Sequence, residues 1–463
     1  MVACVIPSGP ALLGAAPRAA DRPVWATRWF CWLLFAGNAL VILAFWWAST
    51  GSQPMLGAGD MLNAVGRVTG LLGTYLALWQ LLLMTRQPWL DAAFGLDKLA
   101  VLHRWNGYMA IGLLVAHAVF QTVGYQLLDG LDPLSQLSDF VTAYDGLLPA
   151  IAGLVLLLVV VGISITVTRR RLAYETWYFV HLYTYLAIAL AFGHELATGA
   201  DFIASRAFTA YWLVLYAAVA ACLLWFRLAL PLLRYQRHRF RVEHVVREAP
   251  GVVSIYVGGR YLDALPTAAG QFMLWRFLDG ERWWQAHPFS LSLPAGYGWL
   301  RLTVKRIGDF SGAIPSVRPG TPVLVEGPFG SFTERACAGP RALLVAGGVG
   351  ITPLRSLAER LAALGKDVCL VYRCSRPEEV LFRDELARLA AAPNVRVEYV
   401  IGERREGRRG DPLRMAGLRQ LVPDAATREV FVCGPPGMTS SVADSLERLG
   451  VPPEQLHTEA FRL

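Results

Sequence analysis

Residues 101–124 read VLHRWNGYMAIGLLVAHAVFQTVG, a long apolar run with a histidine towards each end. A helix needs about 20 apolar residues to cross the hydrocarbon of a bilayer. Fourteen residues separate His103 from His117, which is about 21 Å along a helix axis and about 40° from the same face. Ionisable side chains are costly inside a membrane and are functional candidates there. The stretch therefore predicts a membrane helix that presents two histidines on one side.

A second apolar run, residues 177–197, carries His181 and His194. Thirteen residues separate them, about 19.5 Å along the axis but some 140° round an ideal helix. Either this helix twists non-ideally or its two side chains leave it on different sides. A single histidine on an apolar helix is usually a hydrogen-bonded packing residue, but two on each of two helices favour metal ligands.

Apolar runs of this length recur six times, which predicts six membrane helices near residues 28–49, 62–85, 101–124, 147–168, 177–197 and 208–230. Arg and Lys cluster before the first run and after the second, fourth and sixth, whereas the other loops carry mostly Asp. Because cytoplasmic loops are enriched in Arg and Lys, both termini are predicted in the cytoplasm of a multi-pass protein of the plasma or inner membrane. The lipid bilayer is therefore one predicted partner.

The composition indicates that one part of the chain lies in lipid and another part in water. It has 463 residues, 55% hydrophobic and 17% charged, too apolar for a soluble domain and too charged for a purely membrane-embedded one. The net charge of +8 is scattered rather than gathered on one face, so no nucleic-acid partner is expected. The seven cysteines form no CxxC pair, which indicates neither an iron–sulfur cluster nor a disulfide framework.

The histidines pair by depth. If the third and fifth helices run in the same direction, His103 lies level with His181 near the cytoplasmic side. His117 then lies level with His194 near the outer side. Neutral imidazole is a good iron ligand and a low-spin haem takes two of them, whereas zinc favours a tighter cluster. Four histidines at two depths therefore predict two stacked b-type haems.

Paired histidines at these spacings on the third and fifth of six helices resemble the ferric reductase and NADPH oxidase family, bacterial type. The resemblance covers roughly residue 25 to the end of the sequence and includes the stretch Tyr174-Glu175-Thr176-Trp177 before His181. It implies a di-haem membrane domain followed by a ferredoxin-reductase-like half. It also implies that Arg67 lies near the outer haem, against a propionate or reduced acceptor. The alternative is that Arg67 simply extends to the membrane surface.

From about residue 238 the pattern alternates as in strands, which predicts a small antiparallel barrel. Four motifs follow in the order found in ferredoxin-reductase-like flavin domains: GQF at 270–272, HPFS at 287–290, KRIGDFS at 305–311 and EGPFG at 326–330. The implied flavin contacts are His287, Pro288, Phe289, Ser290, Lys305, Gly308, Phe310 and Ser311. Ser290 can hydrogen-bond near N5, Phe289 supplies an apolar wall, and backbone N–H groups from Gly308 to Ser311 can hold a pyrophosphate. Ferredoxin-reductase-like domains usually have Arg where His287 stands. The His variant resembles the membrane oxidase and reductase members, and that resemblance implies FAD rather than FMN.

Residues 343–353 read LLVAGGVGITP, a buried strand, a Gly-rich turn and the start of a helix. Such a turn lets the backbone approach a pyrophosphate at the helix N-terminus, and strands at 368–373, 396–401 and 429–433 would complete a doubly wound α/β sheet. The candidate contacts are Gly347, Gly348, Gly350, Thr352 and Pro353. Arg373, Ser375 and Arg376 end a strand where the adenine ribose is read, and they favour NADPH, with NADH possible.

Two further residues are implied by the likeness to the reductases. Cys433, followed by Gly434 and Pro435, closes the last clear strand and is expected to position the nicotinamide ring. Phe461 is expected to cover the flavin until nicotinamide displaces it. The alternative for Phe461 is ordinary packing in a terminal strand.

The predicted organisation is a cytoplasmic tail (1–27), a six-helix haem-binding domain (28–235), an FAD-binding β-barrel (236–335) and an NAD(P)H-binding α/β domain (336–463). The predicted function is transmembrane electron transfer from NADPH through FAD and two b-type haems to an outer acceptor. Oxygen, giving superoxide, and a ferric chelate both stay open, although Gln121 departs from the His expected in animal oxidases. The alternatives are an electron-donor subunit for a periplasmic enzyme, with an unknown protein partner, and a haem-free membrane sensor with a reductase-like tail.

Overall fold

The structure is a computed structural model that describes residues 24–170, 174–293, 297–402 and 411–460. It divides into two compact units, one ending at Ala229 and the other running from Leu230 to the C-terminus. The first is called the helical unit and the second the sheet unit. The predicted four-part division stays a prediction.

The helical unit consists of nine α-helices within the described residues: α1 (Val24–Trp46), α2 (Ala58–Leu83), α3 (Pro88–Phe94), α4 (Leu96–Asp129), α5 (Pro133–Ala143), α6 (Leu147–Arg170), α7 (Tyr174–Thr198), α8 (Ala200–Ala204) and α9 (Arg206–Leu224). Many large apolar side chains lie on its outside, among them Trp29, Leu33 and Val214. Such exposure is unfavourable in water and normal in lipid.

Four helices are long and apolar enough to cross a membrane, namely Ala26–Gly51, Lys98–Asp129, Leu147–Ile165 and Arg206–His238. A fifth span is possible if α2 and α3, which are bent by 94°, count as one. The described residues thus give four or five spans where six are predicted. The helix that falls short is α7, whose 25 residues include His181, His194 and Glu195, polar side chains that lower its hydropathy. The count of six stays a prediction.

The sheet unit opens with α10 (Leu230–His238) and six antiparallel strands: β1 (Arg241–Ala249), β2 (Val252–Gly258), β3 (Phe272–Phe277), β4 (His287–Ser290), β5 (Leu300–Lys305) and β6 (Val323–Phe329). They form two three-stranded sheets, β1-β2-β5 and β4-β3-β6. Isolated bridges join Arg241 to Pro322 and Leu291 to Leu302. The antiparallel strands are as predicted, and these bridges link the two sheets at both edges. A closed barrel stays a prediction.

The rest of the sheet unit is a parallel sheet with helices between its strands, which confirms the predicted α/β fold. Its elements are β7 (Arg341–Gly347), α12 (Ile351–Ala363), β8 (Asp367–Cys374), α13 (Arg383–Ala390), β9 (Val395–Ile401), α14 (Met415–Leu421), β10 (Glu429–Gly434), α15 (Pro436–Arg448) and β11 (Leu456–Ala460). A short helix, α11 (Asp309–Ala313), lies earlier in the chain, between β5 and β6. The strand order is β11-β10-β7-β8-β9. The order therefore reverses between β7 and β10, and ligands of doubly wound sheets bind at such a switch point.

A buried ion-pair network joins the antiparallel and parallel parts of the sheet unit. Arg301 of β5, 1% exposed, donates to both carboxylate oxygens of Glu385 on α13, at 2.6 and 2.9 Å. Arg355 of α12 reaches the same carboxylate at 2.7 Å. Burial alone would raise the pKa of Glu385, but the hydrogen bonds from Arg301 and the charge of Arg355 outweigh it and lower the pKa.

Candidate haem and dinucleotide sites

The four membrane histidines meet as two pairs. The ring centres of His103 and His181 lie 6.0 Å apart, and those of His117 and His194 lie 6.3 Å apart. Two imidazoles that bind one metal from opposite sides, with metal–nitrogen bonds of about 2 Å, have ring centres roughly 6 Å apart. The spacing thus fits two axial ligands of one iron in each pair, and the structure brings together the partners predicted from depth.

The structure also shows how one helix serves both pairs. Helix α7 is α-helical throughout Tyr174–Thr198, so His181 and His194 keep an offset of roughly 140° round its axis. Their side chains therefore leave α7 on different sides to meet the two histidines of α4. In the described residues no group of three or more His, Cys, Asp or Glu side chains could hold a metal.

Each imidazole has an acceptor for its Nδ1 proton. His103 Nδ1 lies 3.2 Å from the carbonyl oxygen of Gln80, and His117 Nδ1 lies 2.8 Å from that of Gly66. His194 Nδ1 contacts the carbonyl of Ala191. A proton held at Nδ1 leaves Nε2 as the coordinating nitrogen, and such outer contacts fix the ring orientation of metal-bound histidines.

Glycines of α2 allow these contacts, because they let α4 approach closely. A Cβ at Gly70 would lie 2.6 Å from His117 Nδ1, and one at Gly66 would lie 2.5 Å from the amide of Gln121. Any larger residue at Gly70 would push the His117 ring away. The sequence reasoning missed this face, although small residues at helical spacing on α2 were a visible signal.

His181 differs from the other three histidines because its Nδ1 faces a side chain. Ser164 Oγ lies 3.5 Å from it and also accepts the indole N–H of Trp177 at 3.1 Å. The hydroxyl proton of Ser164 goes to the carbonyl of Val160 at 2.8 Å. The Trp177 ring stacks on His181 with centres 5.2 Å apart. One hydroxyl therefore orients both rings, and sequence reasoning did not find it.

Arg67 is held within the helical unit. Its Nη1 lies 3.3 Å from Thr50 Oγ1, and that hydroxyl donates to the buried carboxylate of Asp201 at 2.7 Å. Arg67 is next in sequence to Gly66, whose carbonyl faces His117. These contacts hold the Arg67 side chain within the helical unit, whereas the alternative was a side chain extended to the membrane surface. The role of Arg67 at an outer haem stays a prediction.

A buried carboxyl group follows His194 directly and was missed from the sequence. Glu195 accepts a hydrogen bond from Thr74 at 3.1 Å and bonds from Tyr216 at 3.2 and 3.1 Å. Two hydroxyl donors are what a carboxyl group needs to be tolerated in an apolar interior.

The predicted flavin residues gather on β4, at the end of β5 and on α11. Ser290 is 4% exposed, and its hydroxyl has no hydrogen-bond partner among the described residues. Phe289 precedes it on β4. A buried hydroxyl without a partner is costly, so this group is suited to hydrogen-bond a bound flavin. His287 stacks on Phe310 with ring centres 3.7 Å apart, while Pro288 lies on β4 and Lys305 ends β5.

The expected pyrophosphate cradle has an internal partner. The backbone N–H groups of Ile307 and Gly308 donate to Ser311 Oγ at 3.0 and 2.9 Å. A pyrophosphate could take these donors only by displacing that hydroxyl, so the cradle at Gly308–Ser311 stays a prediction.

The Gly-rich turn and Cys433 meet at the switch point of the parallel sheet. Ala346 pairs with Cys433 across β7 and β10. A Cβ at Gly350 would collide with the Cys433 carbonyl, and one at Gly347 would meet Met438 and Pro435. Thr352 closes the turn by donating to Val349 at 2.9 Å. The remaining predicted residues, Gly348, Pro353 and Gly434, lie in the same segments.

Burial raises the pKa of the Cys433 thiol well above its usual value, and the charge of Glu459 adds to this effect. The thiol is therefore neutral, which suits a packing or positioning role better than a nucleophilic one.

The three residues predicted to contact the adenine ribose differ in exposure and in ion pairing. Arg373 at the end of β8 pairs with Asp411 at 3.1 Å. Ser375 is exposed, and Arg376 is 66% exposed with Glu379 at 3.9 Å. Phe461 lies outside the described residues.

Two family models match the chain. One, described as the ferric reductase like transmembrane component, matches residues 69–192, and the other, the oxidoreductase NAD-binding domain, matches residues 344–444. The first contains His103, His117 and His181 and ends two residues before His194. The second contains the Gly-rich turn, Arg373 and Cys433.

Three curated relatives resemble about half of this chain. The glycine betaine monooxygenase reductase subunit of Chromohalobacter salexigens is 30% identical over 42% of this chain and 55% of its own length. An NADH oxidoreductase of Escherichia coli is 31% identical over 46% of this chain and 65% of its own. An NADPH oxidoreductase of Mycobacterium tuberculosis is 30% identical over 50% of this chain and 62% of its own. The chain thus spans between 55% and 65% of the length of these relatives.

Proposed function

We propose that this oxidoreductase, which combines a ferric reductase-like transmembrane domain with a ferredoxin-reductase-like FAD- and NAD-binding half, carries electrons from NADPH to an acceptor across the membrane. The path would run through FAD and two b-type haems. The observation that supports it best is the pair of imidazole separations, 6.0 and 6.3 Å, in the helical unit.

The helical unit would supply the axial ligands. His103 and His181 would hold one haem, and His117 and His194 the other. Each ring is already oriented by a bond at Nδ1, so Nε2 can bind iron without a change of tautomer. Peptide carbonyls facing three of the four rings raise the basicity of those ligands.

The sheet unit would bind FAD and the dinucleotide. A flavin accepts a hydride as an electron pair and passes electrons on singly, which is the conversion that haem requires. Ser290, whose hydroxyl has no partner among the described residues, would hydrogen-bond the flavin, and the neutral Cys433 thiol would lie beside the nicotinamide ring. The Gly-rich turn at 347–350 begins α12 at the switch point, where the helix N-terminus favours a pyrophosphate.

Orientation and acceptor belong to the same proposal. The distribution of Arg and Lys favours cytoplasmic termini, so the pair His117 and His194 would lie towards the outer side. Arg67, whose side chain contacts Thr50 and through it Asp201, would face a propionate or a reduced acceptor there. The acceptor would be oxygen, giving superoxide, or a ferric chelate.

A second candidate is an electron-donor subunit that serves a separate redox enzyme. It is favoured by the likeness to a glycine betaine monooxygenase reductase subunit, which is by its name one subunit of a monooxygenase. Such a protein would reduce its haems readily but turn over poorly with oxygen or ferric chelates alone.

The test is an anaerobic difference spectrum of the purified, detergent-solubilised chain with FAD, before and after NADPH, with haem measured per chain. Two low-spin b-type haems reduced by NADPH are expected. A preparation without haem would overturn the proposal and leave a flavoprotein attached to a membrane domain of another function.

A further inference from the structure

In the predicted dinucleotide site, the arginine expected to bind a phosphate is paired with a carboxylate. Arg373 is the residue of β8 that pairs in register with Gly347, where the Gly-rich turn begins. Its Nη1 lies 3.1 Å from Asp411 Oδ1, and the two side chains are 14% and 18% exposed. The pair therefore stands at the carboxyl edge of the sheet, one strand from the predicted pyrophosphate.

These two residues have opposite meanings in a dinucleotide fold. An acidic residue near the end of the second strand hydrogen-bonds the ribose hydroxyls of NADH, whereas an arginine there pairs with the 2′-phosphate of NADPH. Here both types occur, and each is the partner of the other. The usual rule applied to Arg373 alone predicts NADPH, but it omits the charge beside it.

Asp411 is held firmly in this position. The same oxygen that meets Arg373 also accepts the backbone N–H of Leu413 at 3.1 Å. Leu413 is buried in the core with Val371 of β8 and Val400 of β9. These contacts keep the carboxylate beside Arg373. A phosphate that binds there would be repelled by it, because like charges at short range oppose each other.

We propose that Asp411 is a specificity-determining residue. Its carboxylate neutralises the charge of Arg373 and lowers the affinity of the site for a 2′-phosphate. The protein therefore uses NADH as well as NADPH. The inference rests on the proposed nicotinamide site. It makes Asp411 the residue that limits the preference for NADPH which Arg373 would otherwise impose.

The test uses the full-length protein with FAD and compares Asp411→Asn with wild type. The ratio of kcat/KM for NADPH to that for NADH, measured with ferricyanide as acceptor, is expected to rise roughly tenfold, the effect of one hydrogen bond to a charged group. Asp411→Glu, which keeps the charge, should stay near the wild-type ratio. The matched control is Glu398→Gln, which removes a carboxylate on β9 that pairs with Arg396 instead.

Calorimetric binding of adenosine 2′,5′-bisphosphate and of AMP gives a readout that needs no turnover. Asp411→Asn should tighten binding of the bisphosphate and leave AMP unchanged or weaker. An unchanged ratio, or equal tightening of both ligands, would overturn the role of Asp411. If wild type oxidises neither dinucleotide, the proposed function fails, while the two binding measurements still decide the inference.

Discussion

The two units of this protein orient their important side chains by different means. In the helical unit the histidines of α4 face peptide carbonyls of α2, at Gln80 and Gly66. In the sheet unit Arg301 and Arg355 share the carboxylate of Glu385. A membrane interior disfavours charge, so orientation there depends on neutral hydrogen bonds to carbonyl acceptors and on how closely two helices approach. In the sheet unit, where water is near, ion pairs can orient the side chains instead.

The surfaces of the units differ in the same sense. Strands β7, β8 and β10 bury their Val, Leu and Phe side chains completely, while helices α1, α4 and α9 leave many large apolar side chains on the outside. A substitution in one unit should therefore affect that unit and spare the other.

Replacing one of the four proposed haem ligands should have the largest effect. His117→Ala is expected to reduce the haem content from two per chain to one, because the second imidazole alone is a poor replacement for a pair. Reduction of the flavin by NADPH should continue. Haem is measured by its pyridine complex and the flavin by its absorbance. The matched control is His244→Ala, on an exposed position of β1, and unchanged haem in both His117→Ala and His194→Ala would exclude the ligand assignment.

Breaking the buried ion pair should destabilise the sheet unit alone. Glu385→Gln leaves the charge of Arg301 uncompensated, which typically costs about 3 kcal/mol of unfolding free energy. Urea unfolding followed by flavin release would measure it, with the exposed Glu378→Gln as control. Haem content should not change, and its loss would show that the two units do not respond separately.

The same pair gives a pH dependence with a defined sign. Because the folded-state pKa of Glu385 is lowered, its stabilisation is present above the usual carboxyl range. It is lost as the pH falls through the lowered pKa. The difference in stability between wild type and Glu385→Gln should therefore be largest near neutral pH and shrink in acid.

Closing the gap at Gly70 should have a smaller effect, confined to the helical unit. Gly70→Ala places a methyl group against the His117 ring, and overpacking of this kind typically costs about 1–3 kcal/mol. Weaker retention of one haem on dilution or heating is the expected result. Gly112→Ala on α4, where a Cβ meets nothing within 4 Å, is the control, and equal haem loss in both variants would contradict the packing argument.

The smallest effect is expected at Ser164. Ser164→Ala removes the acceptor shared by His181 and Trp177 but keeps both histidines, so both haems should remain. One hydrogen bond of about 1 kcal/mol corresponds to a shift of a few tens of millivolts in the midpoint potential of one haem. Potentiometric titration measures it, with Thr142→Val on α5 as control. Two unchanged potentials would mean that Ser164 does not tune the ligand.

Much of the fold followed from local pattern. Strands β8, β9 and β10 lie within a residue or two of the predicted segments, because short buried strands between turns have a clear signature. The pairing of His103 with His181 followed from spacing and depth alone. The number of membrane spans and the closure of the barrel stay predictions, because the polar side chains of α7 lower its hydropathy and sheet closure depends on contacts between distant strands.

The sequence by itself determined which residues can do chemistry: four histidines on two apolar helices, a Gly-rich turn after a buried strand, and a serine in a flavin motif. Only the tertiary structure decided what each of them faces. The acceptors of His117 and His181 lie on other helices, and the partner of Arg373 lies 38 residues away in the chain. These contacts depend on how each helix is rotated about its axis, on how closely two helices approach at a glycine, and on where a loop brings distant residues together. A local periodicity in the sequence determines none of these.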